Sequence, residues 1–263
     1  MLVSSLPRAV RTELTKLRTL RSSWLVLGLT VLAGIGLGVL SARSTAHAWA
    51  GMPAADRAAL DPVGSSFDGL DYAELGFGAL GVLAMTGEYA TGMVRVSLLA
   101  VPGRWVFVIA KALVVGGLGA LVGEVCAFGS FLAVQHTLGP TGRAVQLGDP
   151  HVLRAVSAAG LYLAIVALVG LGIGATVRHT GPAVVALVAV VFLAWPAARA
   201  VEGISTLPSK LLLANAVDAL VTVVPVTGPQ AARVPGPGLA WGVLVGYAVA
   251  ALAIAGWRAG RDT

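Results

Sequence analysis

A chain of 263 residues carries 57% hydrophobic and only 11% charged residues, with a mean hydropathy of +0.88. A water-soluble domain is about one-quarter charged, so this composition could not clothe its own surface in polar groups and excludes a soluble protein. The 18 Lys and Arg against 12 Asp and Glu give a net charge of +6, but the basic residues flank apolar runs and form no solvated patch interleaved with aromatics. That placement argues for orientation in a membrane and against nucleic acid as a partner.

The first element is residues 6–21, LPRAVRTELTKLRTLR. Leu6, Val10, Leu14 and Leu17 recur close to one helical face, and Arg8, Arg11, Lys16 and Arg18 mostly occupy the rest. This pattern predicts a cationic amphipathic helix lying on membrane lipid. The apolar run that follows lacks a good A-x-A cleavage pattern at its end, so it reads as a retained anchor and not as a cleaved signal.

Crossing about 30 Å of hydrocarbon takes roughly 20 apolar residues in a helix. Six segments qualify: 24–41, 70–86, 106–134, 155–176, 182–199 and 239–257. The fold class expected is therefore all-α, a polytopic membrane protein forming one transmembrane domain over 1–263. Gly34 and Gly38 in the first span, and Gly116, Gly119 and Gly123 in the third, line faces that let helices approach closely. Asp71 and Glu74 sit near one end of the second span.

The positive-inside rule sets the orientation. With the N-terminus inside, the cytoplasmic pieces hold Arg8, Arg11, Lys16, Arg18, Arg21, Arg95, Arg104, Lys111, Arg178, Arg258 and Arg261. The longer outer pieces hold fewer: Arg43, Arg57, Arg143, Arg154, Arg199, Lys210 and Arg233. Both termini are expected in the cytoplasm, in a cell membrane. Residues 200–238 form an outer loop. Within it 209–226, SKLLLANAVDALVTVVPV, is apolar enough to suggest a seventh span, but Asn215 and Asp218 would fall at its centre. A charge there costs about 2.5–3.5 kcal/mol. A helix at the outer interface, or dipping partly into the membrane, is the preferred reading.

Chemistry-bearing motifs are sparse. H-E-x-x-H, G-x-S-x-G and the P-loop pattern are all absent from the sequence. The four histidines, His47, His136, His151 and His179, show no helical ligand spacing, and the lone Cys126 lies inside an apolar run. No metal is expected, and no catalytic residue is assigned. Glu124 is the one acid deep in a predicted span, which makes it a functional candidate. It is protonated, hydrogen-bonded within the bundle, or lines a polar pathway.

The segment between spans two and three, GEYATGMVRVSLLAVPGR over 87–104, is longer than a turn requires and patterned enough for two helical turns. Continued into the third span, it resembles the permease subunits of type-2 ABC exporters, particularly actinobacterial ones. The matching residues are Thr86, Gly87, Glu88, Tyr89, Thr91, Gly92, Met93, Arg95, Pro102, Arg104 and Lys111. The opening ELTKLRTLRSSWLVLGLTVL, residues 13–32, resembles the same family.

The resemblance implies a coupling helix over 88–104 that docks on a separate ABC ATPase subunit. Glu88, Tyr89, Gly92, Arg95, Pro102 and Arg104 are then the coupling residues. It also implies a second permease copy or paralogue, with ATP and Mg bound by the partner subunit and no cofactor on this chain. Glu88 is expected to pair with a basic residue at the base of the bundle, with the N-terminal helix a candidate source of it. The chain would be no enzyme on its own. The other readings are a self-sufficient secondary transporter and a non-transporting membrane anchor.

Overall fold

A computed structural model describes residues 2–19, 21–94, 104–224 and 228–259. Among them all regular structure is helical, with no strand. The helices are α1 (Leu2–Thr19), α2 (Arg21–Ala48), α3 (Ala54–Ala59), α4 (Leu70–Ala90), α5 (Arg104–Leu138), α6 (Val152–Val177), α7 (Thr180–Val188), α8 (Ala194–Ala200), α9 (Leu207–Lys210), α10 (Leu213–Val221) and α11 (Pro237–Ala259). Among the described residues five stretches are long and apolar enough to cross a membrane: Trp24–Gly51, Trp105–Thr141, Val152–Val177, Thr180–Ala200 and Pro237–Ala259. The protein is thus a membrane-embedded helical bundle. Helix α4 has the length but not the composition, because Asp71, Glu74 and Glu88 lower its hydropathy.

The bundle is built around α6. The most apolar stretch of α6 is 72% buried, against 17% for Thr180–Ala200. Glycines set how closely its neighbours approach. A Cβ on Gly81 of α4 would collide with the carbonyl of Ala167 in α6, and one on Gly123 of α5 would collide with the carbonyl of Gly160. Backbones meet directly there, which replaces the missing hydrophobic drive in lipid with close packing. The glycine faces noted in the sequence are used as contacts: Gly34 lies against Ala73 and Cys126, and Gly119 against Ala164.

Between α7 and α8 the helix widens into a π-turn, Ala189–Leu193. Pro196 follows. It lacks an N–H, and its ring crowds the carbonyl four residues earlier, at Phe192, so a local change of helical pitch relieves the conflict.

Within 209–226 the described helix Leu213–Val221 is nine residues, roughly 14 Å, too short to cross. It packs instead on α6 and α11. And α1 is rotated from the face its leucines suggested. Ala9, Glu13 and Leu17 are buried, while Leu14 is 44% exposed. Helix α1 lies along α5, with Ala9 against Val106 and Ala110.

Candidate functional site

The end of the bundle where α1 packs holds four converging charges. Glu13 and Lys16 are one turn apart on α1, Glu88 is in the last turn of α4, and Lys111 is two turns into α5. Lys111 Nζ donates to Glu13 Oε2 at 2.6 Å, to Glu88 Oε1 at 2.7 Å and to the Ala84 carbonyl at 3.1 Å. Lys16 Nζ donates to Glu13 Oε1 and Glu88 Oε1, both at 2.7 Å. The pairing of Glu88 with a base on the N-terminal helix is therefore present, and Lys111 is a second partner.

The burial is unequal. Lys111 is 2% exposed, with its ammonium 5.2 Å from the centre of the Phe107 ring. Lys16 is half-buried. Burial alone would lower the Lys16 pKa, but hydrogen bonds and charge from Glu13 and Glu88 outweigh it and hold the ammonium above its ordinary value. Two carboxylates and two ammoniums balance, which is the condition under which charge is tolerated away from water.

Of the other predicted coupling residues, Tyr89 and Gly92 are described and follow Glu88 at the end of α4. Tyr89 stacks under the Arg178 guanidinium, 5.4 Å from the ring centre. Arg178 has φ +66, a left-handed conformation rare outside glycine, which turns the chain sharply between α6 and α7. At the start of α7, the Thr180 hydroxyl donates to Thr86 Oγ1 at 2.9 Å, tying α7 to the same end of α4. Gly92 has φ +69, which a side chain would strain, and it turns the chain away from α4. Arg95 and Pro102 lie outside the described residues. Arg104 opens α5, and its side chain lies outside the description too.

Glu124 lies mid-way along α5, apart from the cluster. A Cβ on Gly160 would come within 2.7 Å of its Cδ, so the carboxyl is seated in a notch of α6. Its Oε2 is buried with no hydrogen-bond partner.

The far end of the bundle carries a different group, which the sequence reading did not assemble. Asp68, Asp71 and Asp218 line a cavity of about 210 Å³, with Tyr162 at its wall. The Tyr162 hydroxyl donates to the buried Glu74 in a short hydrogen bond. None of the described residues lining the cavity is basic. Burial pushes Asp68 above the usual carboxylate range, with the Ser41 hydroxyl opposing. Asp218, on the short α10, is pushed up to about 6, first by burial and then by the charge of Asp71. Solvent reaches part of Asp218, but the protein packed around it still disfavours the charge. Among the described residues no three His, Cys, Asp or Glu side chains converge to hold a metal ion.

Set against known proteins, the chain matches no family model and no curated sequence.

Proposed function

We propose that this chain is the membrane-spanning permease subunit of an ATP-driven export complex, coupled through its α4–α5 connection to a separate ATPase subunit. The observation that carries this reading is the four-charge cluster. It ties the N-terminal helix to both stems of the segment 88–104, so force applied to that segment reaches α1, α4 and α5 together. In this reading α4 is the second of six spans, and both termini and this cluster face the cytoplasm across the cell membrane, in keeping with the distribution of lysine and arginine. ATP and Mg belong to the partner chain. The weakly buried Thr180–Ala200 stretch leaves its apolar face, including Val185 and Leu193, for a second permease copy or paralogue and the export path between them.

Co-expression with an ATPase encoded beside it tests this reading. The chain alone hydrolyses no ATP, the pair co-purifies, and Glu88→Gln or Arg95→Ala weakens the complex or uncouples its ATPase from transport. A normal complex with normal coupled ATPase in both variants would refute the coupling role.

Glu124, with its unpartnered oxygen inside a span, favours a second reading as an ion-coupled transporter. That reading requires proton-dependent flux without any ATPase, abolished by Glu124→Gln.

A further inference from the structure

The connection that follows Thr180–Ala200 is built inside out. Its polar side chains turn inward. Ser209 is 1% exposed, and its hydroxyl donates to Glu202 Oε1 at 2.7 Å. Arg233 Nε donates to Glu202 Oε2 at 3.0 Å. Asn215 Nδ2 donates to the Ser209 carbonyl at 2.7 Å, which fastens this polar centre to α10. The apolar side chains turn outward: Ile204 is 91% exposed, Leu207 56%, Leu211 42% and Val201 40%. Single exposed apolar residues are ordinary on a protein surface. Several within one short segment, wrapped around a buried polar centre, reverse the arrangement that water imposes.

Three features point to lipid as what covers these side chains. Thr180–Ala200 is 21 residues long. That is about 31 Å of helix, which just fills about 30 Å of hydrocarbon, so the connection begins at the membrane boundary. Next, the Arg199 guanidinium lies 4.9 Å from the centre of the Trp195 ring. An aromatic ring and a cation one turn apart at the end of a span are characteristic of the headgroup level. Finally, Lys210 is half-exposed beside Leu207 and Leu211 and makes no ion pair among the described residues. A lysine so placed lays its stem on hydrocarbon and its ammonium among phosphates. A leaflet offers both to one element: acyl chains for the apolar side chains and phosphates for the two cations.

We propose that residues 201–211 form a lipid-inserted knuckle at the far end of the bundle. Val201, Ile204, Leu207 and Leu211 enter the acyl region of that leaflet, and Arg199 and Lys210 meet its phosphates. The polar centre of Glu202, Ser209 and Arg233 holds the apolar side chains outward, so the knuckle is formed before lipid meets it. Through Asn215 the leaflet also steadies α10, the helix that carries Asp218 to the acidic cavity. The knuckle requires only this chain and a bilayer, and its test is independent of any ATPase partner.

The test uses the full, unmodified chain in phosphatidylcholine nanodiscs. One sample is photolysed with an apolar aryl diazirine dissolved in the lipid, and another is exposed to hydroxyl radicals generated in the water. Trypsin cuts after Arg199 and Lys210, so residues 200–210 are read as one peptide. Residues 144–154, also a tryptic peptide and mostly exposed loop, are the water-facing comparison. Both signals are normalised to the denatured chain. Peptide 200–210 is expected to take about fivefold more carbene label than 144–154 and to be oxidised about fivefold less, as insertion below the headgroups requires. Ile204→Ser combined with Leu207→Ser, with unchanged size-exclusion elution, should lower its carbene label to the level of the comparison peptide. Oxidation without carbene label would mean that the segment stands in water. Protection from both reagents would mean that protein covers it, such as a second copy of this chain. Either result overturns the proposal, as does equal treatment of the two peptides. The two reagents on the unmodified chain decide the matter even if the double variant fails to fold.

Discussion

The two ends of the bundle treat charge in opposite ways. At the α1 end, two acids and two lysines from three helices neutralise one another within 2.6–2.7 Å. At the far end, Asp68, Asp71 and Asp218 face a common cavity with Glu74 close behind, and among the described residues no base lines that cavity. A balanced cluster acts as a fixed clamp, whose parts cost much to remove singly. An unbalanced one stores repulsion that protonation relieves. The first end is built to hold three helices together, and the second responds to its surroundings.

The largest expected effect comes from breaking the balance. Lys111→Ala leaves Glu13 and Glu88 buried with one half-exposed lysine between them, and should cost about 3–5 kcal/mol, read as a fall in the thermal midpoint in detergent. The double change Glu88→Leu with Lys111→Met removes one charge of each sign and should cost clearly less than the two single changes summed. Additive losses would mean that the two charges do not act as a pair.

Next is the hydrogen bond at the far end. Tyr162→Phe deletes the donor to Glu74 and nothing else, at about 1–3 kcal/mol. The same thermal scan measures it.

The smallest effect has the opposite sign. Asp218 has a raised folded pKa, so its protonated form is favoured on folding. The stability this contributes is full below the ordinary aspartate value near 4 and is lost as pH rises through about 6. Asp218→Asn should abolish that slope and be the more stable form at pH 7 by about 1 kcal/mol, after allowance for solvent screening. Stability curves at pH 4, 5, 6 and 7 check it. Parallel curves for both proteins would show that the far end stores no repulsion.

The positions of the helices were legible because hydrocarbon thickness imposes a length that sequence can display. The glycine faces were legible for a similar reason, since a close approach requires a missing side chain at a helical interval. The buried face of α1 was not. A hydropathy pattern assigns glutamate outward, but Glu13 is buried because Lys111, 98 residues later, neutralises it. No local window contains that pair. The far-end acids failed in the same way: Asp71 and Asp218 were each noted alone, and only the folding of α10 back onto α6 brings them to one cavity. Thr86, Gly87, Glu88 and Tyr89 were singled out by resemblance; a base on the N-terminal helix was expected for Glu88 and is Lys16, while the contacts of Glu88 with Lys111, Tyr89 with Arg178 and Thr86 with Thr180 were not foreseen.

The clamp at the α1 end also has a consequence in time. Its members occur at residues 13, 16, 88 and 111, so during synthesis the two acids and Lys16 exist before the lysine that completes the set. At about 5–20 residues per second, the 23 residues from Glu88 to Lys111 take about 1–5 s to add. For that interval the N-terminal helix has no balanced seat on α4. Its docking is therefore a late event, gated by the arrival of the third long helix, and a nascent chain arrested before residue 111 should leave α1 open to protease where the completed chain protects it.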